Sequence, residues 1–455
     1  MYYKSISKAN LGNINQAGSQ QGRYLNPEDI SLPQEYKIEV FTQGLDSPSC
    51  MVFTDEGDIL IGLSGYISRK PAVVRLHDGS LETVAQDFDA PISGINYRDG
   101  VIYVTHKGKV TSIRQNGIRQ DILLGLPDNG DYWNSNVAFD SNGKIYLAIA
   151  VNTNSAVVGT DNYWIFDNPY NCDYPGAYVI LNGQNYESRD VFIVDNVKTH
   201  TGAFSPFGVP NIPFEVRKGI EKASGSIIRL NPDGTQLEQY AWGLRYIPHI
   251  GFDQAYRLFA SNQGFEVRGS RPIANAPDEF QLITQGIWYG WPDFAGGMPV
   301  TLPRFKPEGV EQPEFLLTNH PNVPPSPFAT FTSGSYITGF DFNKNYSFGN
   351  YGDAFVTEFG SGGRIAGEDI TAYAAKGHRI SQINISTGAV STFAINKSGF
   401  PSSITREGGF ERPIDLVFGP DGAMYILDLG MNSPRNPSAY FPNTGVIWKV
   451  TRIAL

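Results

Sequence analysis

Arg245 and His249 stand four residues apart in YAWGLRYIPHIGFDQAYRLFASNQG, at the head of an apolar strand. A guanidinium can steady developing negative charge, and an imidazole can exchange a proton near neutral pH, so this pair is the first candidate for chemistry. The segment that follows, DEFQLITQGIWYGWPDFAGG, adds the acidic pair Asp278 and Glu279 and the run Tyr289, Gly290, Trp291, Pro292. Other chemistries lack their residues. Without HExxH, GxSxG, a P-loop or a dinucleotide fingerprint, zinc protease, serine hydrolase, nucleotide hydrolase and Rossmann readings have no support. The DEG, DSNG, NPDG and GPDG turns resemble pieces of calcium loops. Hairpin turns need the same residues, and no EF-hand ligand spacing follows them. Cys50 and Cys172 lack metal-ligand spacing, so free thiols are expected, with one long-range disulfide as the alternative. The remaining histidines are dispersed and read as surface or hydrogen-bonded core residues.

The elements that must position these residues repeat. An apolar strand, a turn built on Gly, Asp or Asn, and a second apolar strand recur at residues 51–63, 95–106, 137–149, 250–262, 340–359 and 416–428. Further strands ending in turns follow at 72–79, 109–117, 226–234 and 379–388. The DG, NG and TG pairs supply the positive φ that tight hairpins need. Six copies of such a unit predict an all-β fold, a six-bladed propeller of four-stranded blades spanning 36–455. Two strands are left over, YKIEVFTQG at 36–44 and GVIWKVTRI at 445–453, and pairing them would close the ring. Residues 1–35 read as a polar N-terminal arm. Two irregular insertions, 152–223 and the proline-rich 298–334, read as lids or contact surfaces. The arm and insertions are expected to mediate self-assembly.

A formal charge of −10 argues against nucleic acid and anionic membranes as partners. No run has the length of a membrane span, and the first residues lack the apolar stretch of a secretory signal.

The segment from Gly243 onward strongly resembles the quinoprotein glucose and sorbosone dehydrogenases, six-bladed propellers that hold pyrroloquinoline quinone (PQQ) and calcium at one end of the channel. Gly243, Leu244 and Arg245 match that family's G-[LH]-R-N-P motif, and Asn262, Gln263 and Gly264 match its strand end. Asp278 and Glu279 match its acidic pair, Tyr289 to Pro292 its N-Y-G-W-P, and ERPIDLVFGPDG at 411–422 its closing-blade phrase. The resemblance spans about 36–452 and implies a sugar dehydrogenase, the family being typically outside the cytoplasm. It implies that Arg245 stabilises the reduced quinone, that Arg412 faces the cofactor's carboxylates, and that the carbonyls of Gly264 and Phe265 bind calcium. The chain also departs from the pattern. Tyr132 stands at the position of the catalytic histidine, and Tyr246 replaces the motif's asparagine. A phenol is a poor base at neutral pH, which leaves Tyr132 or His249 to serve. The alternative is an inactive propeller that binds a glycan on Tyr132, Trp133 and Tyr246, or serves as an assembly module. The expected site gathers Tyr132, Arg245, Tyr246, Gly264 and Arg412 at one channel mouth.

Overall fold

Strands such as Ile145–Ile149, Ala354–Glu358 and Met424–Asp428 are buried along their whole length, which explains their unbroken apolar sequence. Each lies between two neighbouring sheets. Ile145, Leu147 and Ile149 pack towards one side, and Tyr146 and Ala148 towards the other. The computed structural model describes residues 22–195, 197–361, 376–405, 407–433 and 436–453.

Six antiparallel sheets follow one another around an axis. Blades 1 to 5 begin with Pro48–Phe53, Ile92–Arg98, Val137–Phe139, Tyr246–Phe252 and Ile337–Phe342. Blade 6 begins with Pro413–Phe418 and is completed by Tyr36–Leu45 pairing with Gly445–Arg452. The expected six-bladed architecture and its closure by the two leftover strands are therefore observed. Six apolar clusters fill the six spaces between adjacent blades, and a seventh lies at one end under the first insertion. Cys50 and Cys172 are free and buried.

Short polar side chains tie the inner strands together. The Asn136 side chain donates to the Ile250 carbonyl and accepts from the Ile250 N–H, both at 3.0 Å, joining blades 3 and 4. Asp415 accepts from Met51 N–H at 2.9 Å, joining blade 6 to blade 1, and Asp341 accepts from Phe418 N–H at 2.9 Å. These bonds satisfy backbone groups that the inner edge of each sheet would otherwise leave unpaired.

The described part of the N-terminal segment packs on the propeller. Arg23 is buried and bonds Asp428 at 2.8 Å, and Ile30–Ser31 adds a fifth strand to blade 5. The first insertion contains two small ribbons, Asn185–Arg189 with Lys198–Gly202 and Val179–Ile180 with Val216–Arg217. The end of the second insertion, Ala329–Phe331, forms the outer strand of blade 4. Among the described residues no helix is long and apolar enough to cross a membrane.

Candidate functional site at the channel mouth

Arg245 immediately precedes the first strand of blade 4, and Gly264 follows its second strand, so both stand at one end of the blade. Tyr132 precedes the first strand of blade 3 at the same end. The sequence holds this corner rigidly. Asn262 accepts the Arg245 N–H at 2.8 Å and donates to Glu279 at 2.8 Å, while Asp278 accepts the N–H groups of Gly264 (2.9 Å) and Ile337 (3.1 Å). The acidic pair thus fastens backbone. Burial raises Asp278 to about 7.

The Arg245 side chain is buried and its donors are spent on protein. Nε donates to the Asn154 carbonyl at 3.0 Å, Nη1 to the Gly264 carbonyl at 2.6 Å, and Nη2 to Asn154 Oδ1 at 2.8 Å and to the Tyr132 hydroxyl. Nη2 also pairs with Glu266 at 3.1 Å. The guanidinium lies 4.7 Å from the centre of the Tyr132 ring, which stacks on Tyr246 at 4.7 Å. Tyr132 and Tyr246 are 3% and 7% exposed, so they pack against each other and offer no surface platform. Burial pushes both phenols far above their ordinary pKa.

A second arginine, which sequence reasoning missed, completes the network. Arg268 bonds the Tyr132 hydroxyl, Asp131 and Glu266 at 2.7 Å each and Asp161 at 2.5 Å. Asp161 and Asn154 belong to the first insertion, so these contacts fix the insertion to the mouth. Asn162 and Trp164 add bonds to Asp131 at 2.9 and 2.8 Å.

His249 and Arg412 stand outside this network. His249 faces an axial cavity of about 50 Å³ whose lining includes Ser49, Ser93, Asn134, Thr338 and Asp415. Its Nδ1 is 3.7 Å from Asp415 Oδ1, and burial lowers it to about 3. Burial likewise raises Asp415 to about 8. Arg412, 3% exposed, bonds the carbonyls of Gly360 at 3.1 Å and Ser361 at 2.9 Å. Tyr132, Arg245, Tyr246, Gly264 and Phe265 converge on one cluster. Tyr246 alone of these also lines the cavity of His249.

Among the described residues, the corner around Arg245 does not fit a quinone and calcium. The cavity beside Arg245 and Gly264 is about 10 Å³, at or below the roughly 10–15 Å³ that one water needs. The Gly264 carbonyl expected to bind calcium accepts instead from a guanidinium. Among the described residues no group of three His, Cys, Asp or Glu could hold a metal ion.

No family model matches the chain, and no curated protein matches it in sequence. Solved structures do match. A putative oxidoreductase (glucose dehydrogenase) from Thermus thermophilus has TM-score 0.53 at 15% identity, covering 91% of this chain and 99% of that one. The PQQ-bound aldose sugar dehydrogenase from Streptomyces coelicolor gives 0.51 at 14%, covering 92% and 99%. The holo PQQ domain of pyranose dehydrogenase from Coprinopsis cinerea gives 0.58 at 14%, covering 95% and 98%. The fold is that of the soluble sugar dehydrogenases. At such identities the sugar-dehydrogenase likeness establishes architecture, and chemistry must be argued from the mouth itself.

Proposed function

We propose that this chain is a sugar-dehydrogenase-fold propeller that does not oxidise sugars and serves as an assembly module. One observation carries the reading: the guanidinium of Arg245 is bonded to Tyr132, Asn154, Gly264 and Glu266 and reaches the Gln263 carbonyl at 3.4 Å, with no donor left for a quinone. A proton acceptor works best with a pKa near the working pH. The Tyr132 phenol is pushed the opposite way by burial, and its hydroxyl bonds Glu266 at 2.8 Å. The competing reading, a PQQ- and calcium-dependent dehydrogenase of a sugar, draws support from the shared fold and from Arg245. It requires the Tyr132–Tyr246 stack to part.

Titration with PQQ and calcium, followed by absorption, separates the two. The expected result is the spectrum of free quinone and no glucose-dependent reduction of an artificial acceptor. Tyr132→His should fail to restore turnover, because Arg245 stays bound to Asn154 and Glu266. A bound-quinone spectrum with turnover in the unmodified protein refutes the proposal.

The contact surface of the module is the first insertion, and its partner is a second copy of this chain. Tyr163, Phe166, Tyr170, Phe192, Ile193 and Val194 are all exposed there, Val194 at 96%. Phe166 and Phe192 are in ring contact at 5.8 Å, which joins the short helical turn Tyr163–Phe166 to the segment after the ribbon strand Asn185–Arg189. At roughly 100 Å² apiece these six side chains offer about 600 Å² per copy, near the ~800 Å² per partner of specific interfaces. Sedimentation should show concentration-dependent association that Phe192→Ser with Val194→Ser abolishes. A monomer at every concentration sinks this part of the reading.

A further inference from the structure

The turn joining the first two strands of blade 5 lies at the end of the blade away from the mouth, since Arg245, Tyr132 and Arg412 all precede first strands. It is a rigid turn. Asn343 donates its N–H to the Asp353 carbonyl at 2.9 Å and accepts from Gly352 N–H at 2.8 Å. Phe348, 1% exposed, anchors it beneath Tyr36 and Phe418, with ring centres 4.9 and 5.1 Å away. On its outer side the turn carries Tyr346 and Tyr351, 76% and 42% exposed. Their rings lie 3.8 Å apart and 7° from parallel. Aromatic pairs ordinarily prefer offset or edge-on contact, so this close face-to-face arrangement is set by the turn that carries both rings. Among the described residues eight tyrosines are exposed, and these two form the pair in ring contact.

We propose that Tyr346 and Tyr351 are an oxidative cross-linking site that closes to dityrosine under a peroxide-driven, one-electron oxidant. A haem peroxidase using hydrogen peroxide removes one electron and one proton from each phenol. The two phenoxyl radicals join through ring carbons ortho to oxygen. The hydrogens on those carbons then move to the oxygens, restoring both phenols, and the peroxide becomes two waters. The reaction needs two radicals held at contact, and the fixed stack supplies that proximity, which in well-oriented intramolecular reactions is worth effective molarities on the order of 10⁵ M or more. The product staples the turn covalently without involving the mouth or the insertion.

The test treats the full chain at low concentration with hydrogen peroxide and a haem peroxidase, then reads dityrosine fluorescence and peptide masses. The monomer should gain the fluorescence and lose the mass of two hydrogen atoms, within the tryptic peptide covering residues 345–364. Tyr346→Phe and Tyr351→Phe should each cut the monomer signal by about tenfold or more, as loss of a positioned partner implies. Tyr256→Phe, at an exposed tyrosine outside the pair, should leave it unchanged. Fluorescence confined to cross-linked dimers, or an undiminished monomer signal in Tyr346→Phe, overturns the proposal.

Discussion

Replacing Arg268 by methionine keeps most of its stem and removes its charge. Four partners lose a bond: Asp161, Asp131, Glu266 and the Tyr132 hydroxyl, all within 2.7 Å. Of the three carboxylates only Glu266 then keeps a guanidinium, that of Arg245. Breaking a buried ion pair by removing one partner costs about 3–5 kcal/mol, and since Arg268 is 16% exposed the lower end, about 3 kcal/mol, is expected. The assay is the guanidinium unfolding midpoint of the full chain at several pH values. The pH gives a second handle. Burial already raises the Asp161 carboxyl and Arg268 pulls it back down, so the variant raises it further. A carboxyl whose folded pKa exceeds its unfolded value costs stability above the unfolded pKa, and that cost fades as pH falls. The deficit of the variant should therefore shrink between pH 7 and about 4. A loss under about 1 kcal/mol, the size of an exposed pair, or a deficit independent of pH would refute the argument that this network pins the insertion.

Asn136→Ala removes both bonds to Ile250 and should cost about 2–4 kcal/mol in the same unfolding assay; a loss under 1 kcal/mol would show that the inner-strand ties are replaceable by water. Asp415, raised to about 8, should make the protein lose stability as pH rises from about 4 to 8, with a limiting slope of about 1.4 kcal/mol per unit. Asp415→Asn should abolish that fall. It should also expose the opposite trend from His249, lowered to about 3, which adds stability as pH rises from about 3 to 6.5. An unchanged pH profile in Asp415→Asn counts against both assignments.

The propeller was legible because each blade announces itself locally. An unbroken apolar strand such as IYLAI reads as buried on both faces, and the Asp-Ser-Asn-Gly turn before it fixes a hairpin. The seam was legible by elimination, from two strands without neighbours. The gathering of Tyr132, Arg245 and Gly264 followed from their equivalent places in different blades. What could not be read was the network around them. Arg268 and Glu266 follow a strand in the loop GFEVRGSR, where alternating charges look like solvent-facing residues. Only the folding of a 72-residue insertion over the mouth, bringing Asn154 and Asp161 back to them, turns that loop into buried ion pairs. No local pattern specifies a contact made across 107 residues, as Arg268 to Asp161 is. The charged stretch embedded among glycines was the available signal. His249 shows the converse error of reach: four residues from Arg245 in sequence, it faces the axis because the strand bulges between Tyr246 and His249.

The closing sheet has a consequence in time. Tyr36 is opposite Arg452, so the register of blade 6 joins the two most distant strands of the ring. Bringing such remote points together costs about 5 kcal/mol of chain entropy, against about 1 kcal/mol for a five-residue turn. Five blades can zip from their own hairpins while the sixth waits for both of its halves, which makes this junction the last to form and the first to part. Linking residue 452 to residue 36 and opening the chain at the turn of residues 54–58 would convert that remote pairing into a neighbouring one. The permuted ring would keep the four strands of every blade, give up the contacts of Arg23 and of Ile30–Ser31, close sooner, and begin to unravel from a different blade.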